Sequence, residues 1–172
     1  MAINISSPNT PSLRELANHD FLNEIALAVG PEQVKKVWVK LDPDQSKADL
    51  QKLVESIMAL EFGGIILTNT HRVEKPQRGG LSGHPLLSRS NQFLEWAYEV
   101  HKSALPMIGV GGVFSGLDVF EKLARGACAV QIYSSFVYRG PFVVYQILRE
   151  LHWEMQLRGI SSVKDCVGYY HK

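Results

Sequence analysis

Short runs of apolar, largely β-branched residues alternate along the chain with longer segments in which apolar residues recur every three or four positions. Four runs read as whole strands: Val37-Trp38-Val39-Lys40-Leu41, Gly64-Ile65-Ile66-Leu67-Thr68, Pro106-Met107-Ile108-Gly109-Val110 and Ala129-Val130-Gln131-Ile132-Tyr133. Ala2-Ile3-Asn4-Ile5-Ser6 reads as the tail of another. Between them lie helical stripes. Ser46 and Asp49 form a capping-box start for a helix carrying Leu50, Leu53, Val54, Ile57 and Met58. A second helix covers roughly residues 90–103. Ser115 and Asp118 cap a third, which stacks Leu117, Phe120 and Leu123 and stops near Gly126. Pro141 opens a fourth, carrying Val144, Ile147, Leu148 and Leu151. Residues 71–85, rich in Gly and Pro, read as a long loop.

Strands that are apolar on both faces and joined by helices predict a parallel sheet with right-handed crossovers. Polar residues or glycines close every strand: Asn4, Lys40, Thr68-Asn69, Gly111-Gly112 and Tyr133-Ser134. An open doubly wound sheet concentrates its site at one switch point, whereas a TIM barrel gathers it from many strand ends. The expected class is therefore α/β, of the TIM (β/α)8 barrel family. A whole barrel needs about 250 residues, and this chain of 172 residues supplies four βα units and the stub of a fifth. The expectation is a partial barrel in which residues 1–172 form the C-terminal part of one domain and the N-terminal strands are absent. Such an unclosed sheet exposes two edges and an apolar wall, which favours aggregation or pairing.

Composition narrows the function classes. With 45% apolar and 20% charged residues, the chain has the balance of a soluble globular protein. A net charge of +1 favours neither nucleic acid nor an anionic membrane surface. The cysteines, Cys128 and Cys166, are too far apart for a disulfide framework and read as free thiols in a reducing compartment. The histidines show no metal-ligand spacing, so no metal is expected. No apolar run is long enough to span a bilayer, and the first residues lack the apolar core of a signal peptide.

Each candidate site segment also has a plain structural reading. Asn4-Ile5-Ser6-Ser7-Pro8-Asn9-Thr10 suits a strand end followed by a turn. Lys40 reads as a surface lysine, Thr68-Asn69-Thr70 as a strand end and helix cap, and Gly79-Gly80-Leu81-Ser82-Gly83 as a flexible loop. Gly109-Val110-Gly111-Gly112 says more. Glycines between a strand and a helix let backbone N–H groups approach a phosphate, with the helix dipole behind them. Tyr133-Ser134 on the next strand end would complete a phosphate site, as in many TIM barrels.

Taken together and in order, Asn-Ile-Ser-Ser-Pro-Asn-Thr, Val-Lys-Leu-x-Pro-Asp, Leu-Thr-Asn-Thr, Gly-Gly-Leu-Ser-Gly-x-Pro-Leu, Ile-Gly-Val-Gly-Gly and Gln-Ile-Tyr-Ser resemble the class 2, quinone-linked dihydroorotate dehydrogenases along nearly the whole chain. The resemblance implies strands four to eight of the barrel, FMN as cofactor, and oxidation of dihydroorotate to orotate in pyrimidine biosynthesis with a quinone as electron acceptor. Ser7 matches the base that removes a proton from C5 while hydride leaves C6; class 1 relatives carry cysteine there. Asn4, Asn9, Asn69 and Thr70 match substrate-binding residues, and Asn4 also meets the flavin. Lys40 matches the lysine beside the flavin N1–O2 edge, and Thr68 a flavin contact. Ser82, Gly83, Gly111, Gly112, Tyr133 and Ser134 match the residues that hold the ribityl chain and phosphate. The complete enzyme would be peripherally attached to an inner membrane through its N-terminal part, which also carries the quinone site.

Three departures stand out. Asp42 replaces a small residue and is expected to perturb Lys40, residues 71–78 form a short loop for this class, and His84 replaces a lysine or arginine. The alternatives are another FMN- or phosphate-binding barrel oxidoreductase, or a non-catalytic remnant whose missing half lies on another chain or was lost.

Overall fold

The computed structural model describes residues 1–6, 18–74 and 79–172. In chain order its elements are β1 (Ala2–Asn4), α1 (His19–Val29), α2 (Pro31–Val34), β2 (Trp38–Leu41), α3 (Lys47–Ala59) and β3 (Gly64–Leu67), then β4 (His71–Val73) and β5 (Gly79–Leu81). There follow α4 (Leu87–His101), β6 (Met107–Val110), α5 (Gly116–Ala124), β7 (Ala129–Gln131), α6 (Ser134–Arg139), α7 (Val143–Leu157) and α8 (Val163–Cys166). Among the described residues, five strands form one parallel sheet in the order β1-β2-β3-β6-β7, and β4 and β5 form a separate antiparallel hairpin. The main sheet runs in chain order from edge to edge. A doubly wound sheet reverses its order at a switch point, and this one never does, so it is an arc of a TIM-barrel-family fold.

Register fixes what each face carries. Asn4, Lys40, Ile66, Ile108 and Ala129 are successive Cα partners and make one row on one face. The neighbouring row, Ile3, Val39, Ile65 and Met107, points to the helices, and its last three members are fully buried. Two apolar cores lie on that helical side. The first packs Val39, Leu41, Ile65, Leu67 and Met107 against Leu50, Leu53, Val54 and Ile57 of α3 and Phe93, Leu94 and Ala97 of α4. The second joins Val119, Phe120 and Leu123 of α5 to Val143, Ile147, Leu151 and Met155 of α7. Full burial of each such side chain is worth roughly 1.5–3 kcal/mol. A polar contact lies between the cores, where Lys122 of α5 reaches Ser90 and Asn91 of α4.

The caps at Ser46 and Ser115 form as expected, the second as a reciprocal capping box with Asp118. Other expectations need correction. Leu117, Val144 and Leu148 are exposed; α7 buries Val143, Ile147, Leu151 and Met155 instead. The helix expected from residue 90 starts at Leu87, after a single 3-10 turn at His84–Leu86 that Pro85 favours. The last strand stops at Gln131, and Tyr133 becomes the cap of α6. The loop over residues 71–85 contains the β4–β5 hairpin. Among the described residues, β1 and β7 are the edge strands of the sheet, and Ala2, Asn4, Ala129 and Gln131 on them are exposed. Phe136, Val137, Tyr138, Phe142, Tyr145 and Trp153 are exposed on α6 and α7 and the turn between them.

Candidate functional site

The strand ends meet through one amide. Asn69, just past β3, reaches over the end of β2 to the chain leaving β1. Its Nδ2 donates to the Ser6 carbonyl at 2.9 Å, to Ser6 Oγ at 3.0 Å and to Asn4 Oδ1 at 3.2 Å. Two hydrogens serve three acceptors, so one bond is shared. The other end of the amide, Oδ1, accepts from the Thr70 N–H at 2.9 Å. Asn4 Oδ1 in turn accepts from Ser6 Oγ at 2.8 Å and Ser6 N–H at 3.2 Å. Asn4, Ser6 and Asn69 therefore form one oriented network at the rim. Sequence alone does not single out Ser6, because nothing local distinguishes it from its neighbours in the serine–proline turn.

Lys40 stands between Asn4 and Ile66 in the row described above. It is half-buried, and loss of hydration pushes its ammonium below the usual lysine range. Asp42 does not perturb it as expected. The Asp42 carboxylate is buried in its own turn, accepting from Asp44 N–H at 2.8 Å and Gln45 Nε2 at 3.2 Å. Asp44 then pins the hairpin, accepting from Arg72 N–H at 2.9 Å and pairing with His71 Nδ1.

On the other side of the rim, the chain turns sharply after β6. Gly111 and Gly112 take φ values of +108° and +77°, which side chains rarely adopt. A Cβ on Gly112 would lie 2.5 Å from Leu87 Cα, so this turn is pressed against the first residue of α4. Beside it opens a cavity of about 140 Å³ lined by Lys40, Thr68, Asn69, Thr70, Ser82, Gly83, Gly111, Gly112, Tyr133 and Ser134. That volume is well above the roughly 10–15 Å³ one water needs. The cavity is also bordered by Phe114, Gln131 and Ser135, for which the sequence offers no signal of its own. Ser82 Oγ and Ser134 Oγ are 3.0 Å apart and join the hairpin to the end of β7. Ser135 is buried, and among the described residues its hydroxyl has no hydrogen-bond partner. An unsatisfied buried hydroxyl is costly, and an oxyanion entering the cavity would relieve it.

The contribution expected of the α5 N-terminus is reduced. Most of its donors are taken: Phe114 and Ser115 N–H go to Asp118 Oδ2, Gly116 N–H goes to Glu150 Oε2 and Asp118 N–H goes to Ser115 Oγ. The Gly111-Gly112 turn and Ser134 and Ser135 at the start of α6 border the cavity directly.

Of the residues singled out from sequence, those from Lys40 to Ser134 converge on one cavity, and Asn4 joins through Asn69. Asn69 and Gly111 share that rim. Ser7 and Asn9 lie outside the described residues. Among the described residues no group of His, Cys, Asp and Glu could hold a metal, and no helix is long and apolar enough to cross a membrane. Cys128 and Cys166 are free, the first exposed and the second buried.

Comparison with known proteins locates this arrangement. A family model described as dihydroorotate dehydrogenase matches residues 1–155. The chain is 37% identical to a dihydroorotate dehydrogenase (quinone) of Trichodesmium erythraeum, over 99% of the chain and 50% of the relative. It is 35% identical to a mitochondrial dihydroorotate dehydrogenase (quinone) of Oryza sativa subsp. japonica, over 98% of the chain and 40% of the relative. Among solved structures it resembles the DHODH of Eimeria tenella in complex with ferulenol, with a TM-score of 0.92 and 29% identity over 99% of this chain and 54% of that one. The chain thus spans about half the length of the curated relatives it matches.

Proposed function

The chain belongs to the dihydroorotate dehydrogenase family, and from that premise we propose that it forms the serine-base side of a site that oxidises dihydroorotate to orotate, with electrons passed to a quinone. The convergence of Asn4, Lys40, Asn69 and the Gly111-Gly112 turn on one rim carries this reading. We take residues 1–172 as the C-terminal part of a (β/α)8 barrel whose N-terminal part carries the quinone site. In that reading the complete enzyme is peripherally attached to an inner membrane through its N-terminal part.

FMN, when bound, supplies the hydride acceptor. The residues present fit it. The Gly111-Gly112 turn borders the cavity in a left-handed conformation that brings bare backbone to its edge, and the orphan hydroxyl of Ser135 suits a phosphoryl oxygen. Gly83, Ser82, Tyr133 and Ser134 would hold the ribityl chain, and Thr68 would contact the ring. Lys40 would place its charge at the N1–O2 edge, where negative charge gathers on reduction. Its half-burial keeps that charge weakly screened.

On the substrate side, Asn4, Asn9, Asn69 and Thr70 would meet the pyrimidine ring and its carboxylate. Amides suit an imide edge because they both donate and accept. The Asn69 amide is already oriented by Ser6 and Asn4, so little ordering remains on binding. Ser7 would take the C5 proton. Serine is a weak base on its own, so it needs a hydrogen-bonded relay and exclusion of bulk water.

The test is Ser7→Ala in the full-length protein, with anaerobic bleaching of the flavin by dihydroorotate followed by stopped flow. The expected loss is about 10²–10⁴-fold in the rate of reduction, the usual worth of a general base. Unchanged bleaching would refute the assignment.

A further inference from the structure

Lys122 takes no part in the site as described, yet it is fully buried and sits directly behind it. Its aliphatic stem lies along β6. A Cβ on Gly109 would meet Lys122 Cδ at 2.8 Å, so the strand has glycine where the lysine passes. The ammonium ends between two side chains of α4, donating to Ser90 Oγ at 2.5 Å and to Asn91 Oδ1 at 3.0 Å. Ser90 Oγ is within hydrogen-bond reach of the Gly111 carbonyl at 3.0 Å and of the Leu87 carbonyl at 3.1 Å. Ser90 has one proton to give and takes one from Lys122. With the ammonium in place, a lone pair of Ser90 is engaged and its O–H is turned toward the carbonyls.

The consequence lies in the peptide that follows. In a trans peptide the C=O and the next N–H point in opposite directions. Ser90 is buried and does not border the cavity, whereas Gly111 and Gly112 do. Anchoring the Gly111 carbonyl on Ser90 therefore turns the Gly112 N–H away from the buried side and toward the cavity. With the Phe114, Ser115 and Gly116 N–H groups already taken by Asp118 and Glu150, this N–H matters more.

We propose that Lys122 is a positioning residue for the anion subsite, holding the Gly111-Gly112 peptide through Ser90 so that its N–H faces a bound phosphate. The proposal rests on the reading of that turn as the FMN phosphate site. The charge has support of its own kind. Asp118 on the same helix attracts it and Arg125 repels it, while burial brings the ammonium down to about 7. A phosphate on the far side of the turn would favour the charged form, and the charged lysine would favour the phosphate.

The experiment compares FMN with riboflavin, which lacks only the phosphate. Dissociation constants for both are measured by flavin fluorescence quenching on full-length apoprotein, for wild type, Lys122→Met and Ser90→Ala. Wild type prefers FMN. Both variants lose about tenfold in FMN affinity, the scale of one oriented hydrogen bond, while riboflavin binding changes less than about twofold. Equal losses for the two flavins, or no loss for either, would overturn the proposal, because a merely structural lysine affects both alike. A wild type that does not discriminate FMN from riboflavin would sink the phosphate reading itself, and this inference with it. Should Lys122→Met fail to fold, Ser90→Ala decides, since it removes one oxygen and leaves the lysine stem packed.

Discussion

Exchanging Lys122 for methionine should change how stability depends on pH. In the folded chain this lysine is fully buried, and desolvation lowers it from 10.5 to about 7. In the unfolded chain it titrates near the usual lysine value. Between pH 7 and about 10.5 the unfolded state therefore holds a proton that the folded state does not, and stability rises with pH across that window. Below pH 7 both states are charged, and the folded state bears the whole desolvation cost. A difference of roughly 3.5 pH units is worth roughly 5 kcal/mol at about 1.4 kcal/mol per unit. A methionine in its place would keep the stem packing on Gly109 and lose the ammonium, leaving Ser90 and Asn91 short of a donor at a cost of about 1–2 kcal/mol. The variant should then be the more stable protein at pH 6, by about 3 kcal/mol, and the less stable one near pH 10. Tyr170 and Cys166, both raised mainly by burial, act on stability with the opposite sign as pH rises, but they do so in both proteins and cancel in the difference. Urea unfolding of the full-length apoprotein from pH 6 to 10, with m values checked for constancy, measures that difference. Parallel profiles for the two proteins would refute the reasoning.

Asn69→Ala should destabilise by about 2–3 kcal/mol by orphaning the buried Ser6 carbonyl, and Asn69→Asp should cost more at neutral pH because a carboxylate would face Asn4 Oδ1 and Ser6 O. Denaturant midpoints check the order, and an aspartate variant more stable than the alanine variant would falsify the orientation of the amide. Gly112→Ala places a Cβ 2.5 Å from Leu87 Cα at a positive φ; the protein should purify with little bound flavin, seen as a low ratio of flavin to protein absorbance. His101 is buried, and desolvation lowers it from 6.5 to about 4, so the folded state resists a proton that the unfolded state accepts. Stability should therefore fall as pH drops from 6.5 to 4, by about 2 kcal/mol once solvent screening is allowed for. His101→Asn, which keeps an acceptor for the Ser103 N–H, should remove that slope in thermal melts.

The strands and their closing residues are readable because a strand announces itself within five residues and its last residue is adjacent in sequence. The same holds for the caps at Ser46 and Ser115. Helical phase is less secure. Val143 and Val144 differ by one position, and the apolar pair Val144 and Leu148 has the same spacing as the buried pair Val143 and Ile147. Only the location of α5 decides between them. Leu117 fails for a related reason: α5 is enclosed on most sides, and the burial extends to Asp118 and Lys122 while leaving a leucine outside. In the site, residue types at strand ends are legible, but their connections are not. Asn69 and Ser6 lie 63 positions apart, and nothing local says that an amide bridges them. The reduced role of the α5 N-terminus as an anion site is hidden too, because Glu150, which takes the Gly116 N–H, comes from α7.

The contact of Lys122 with Ser90 and Asn91 has a mechanical meaning. It crosses the seam between two oily packings, alongside the Arg125–Glu95 ion pair, where apolar contacts alone would let helices shear past one another by an ångström or so. Directional bonds from one ammonium act there as a rivet. The segment bearing Asn69 rests on one packing and the segment bearing Ser134 and Ser135 on the other, so the rivet holds the two sides of the cavity at a constant span.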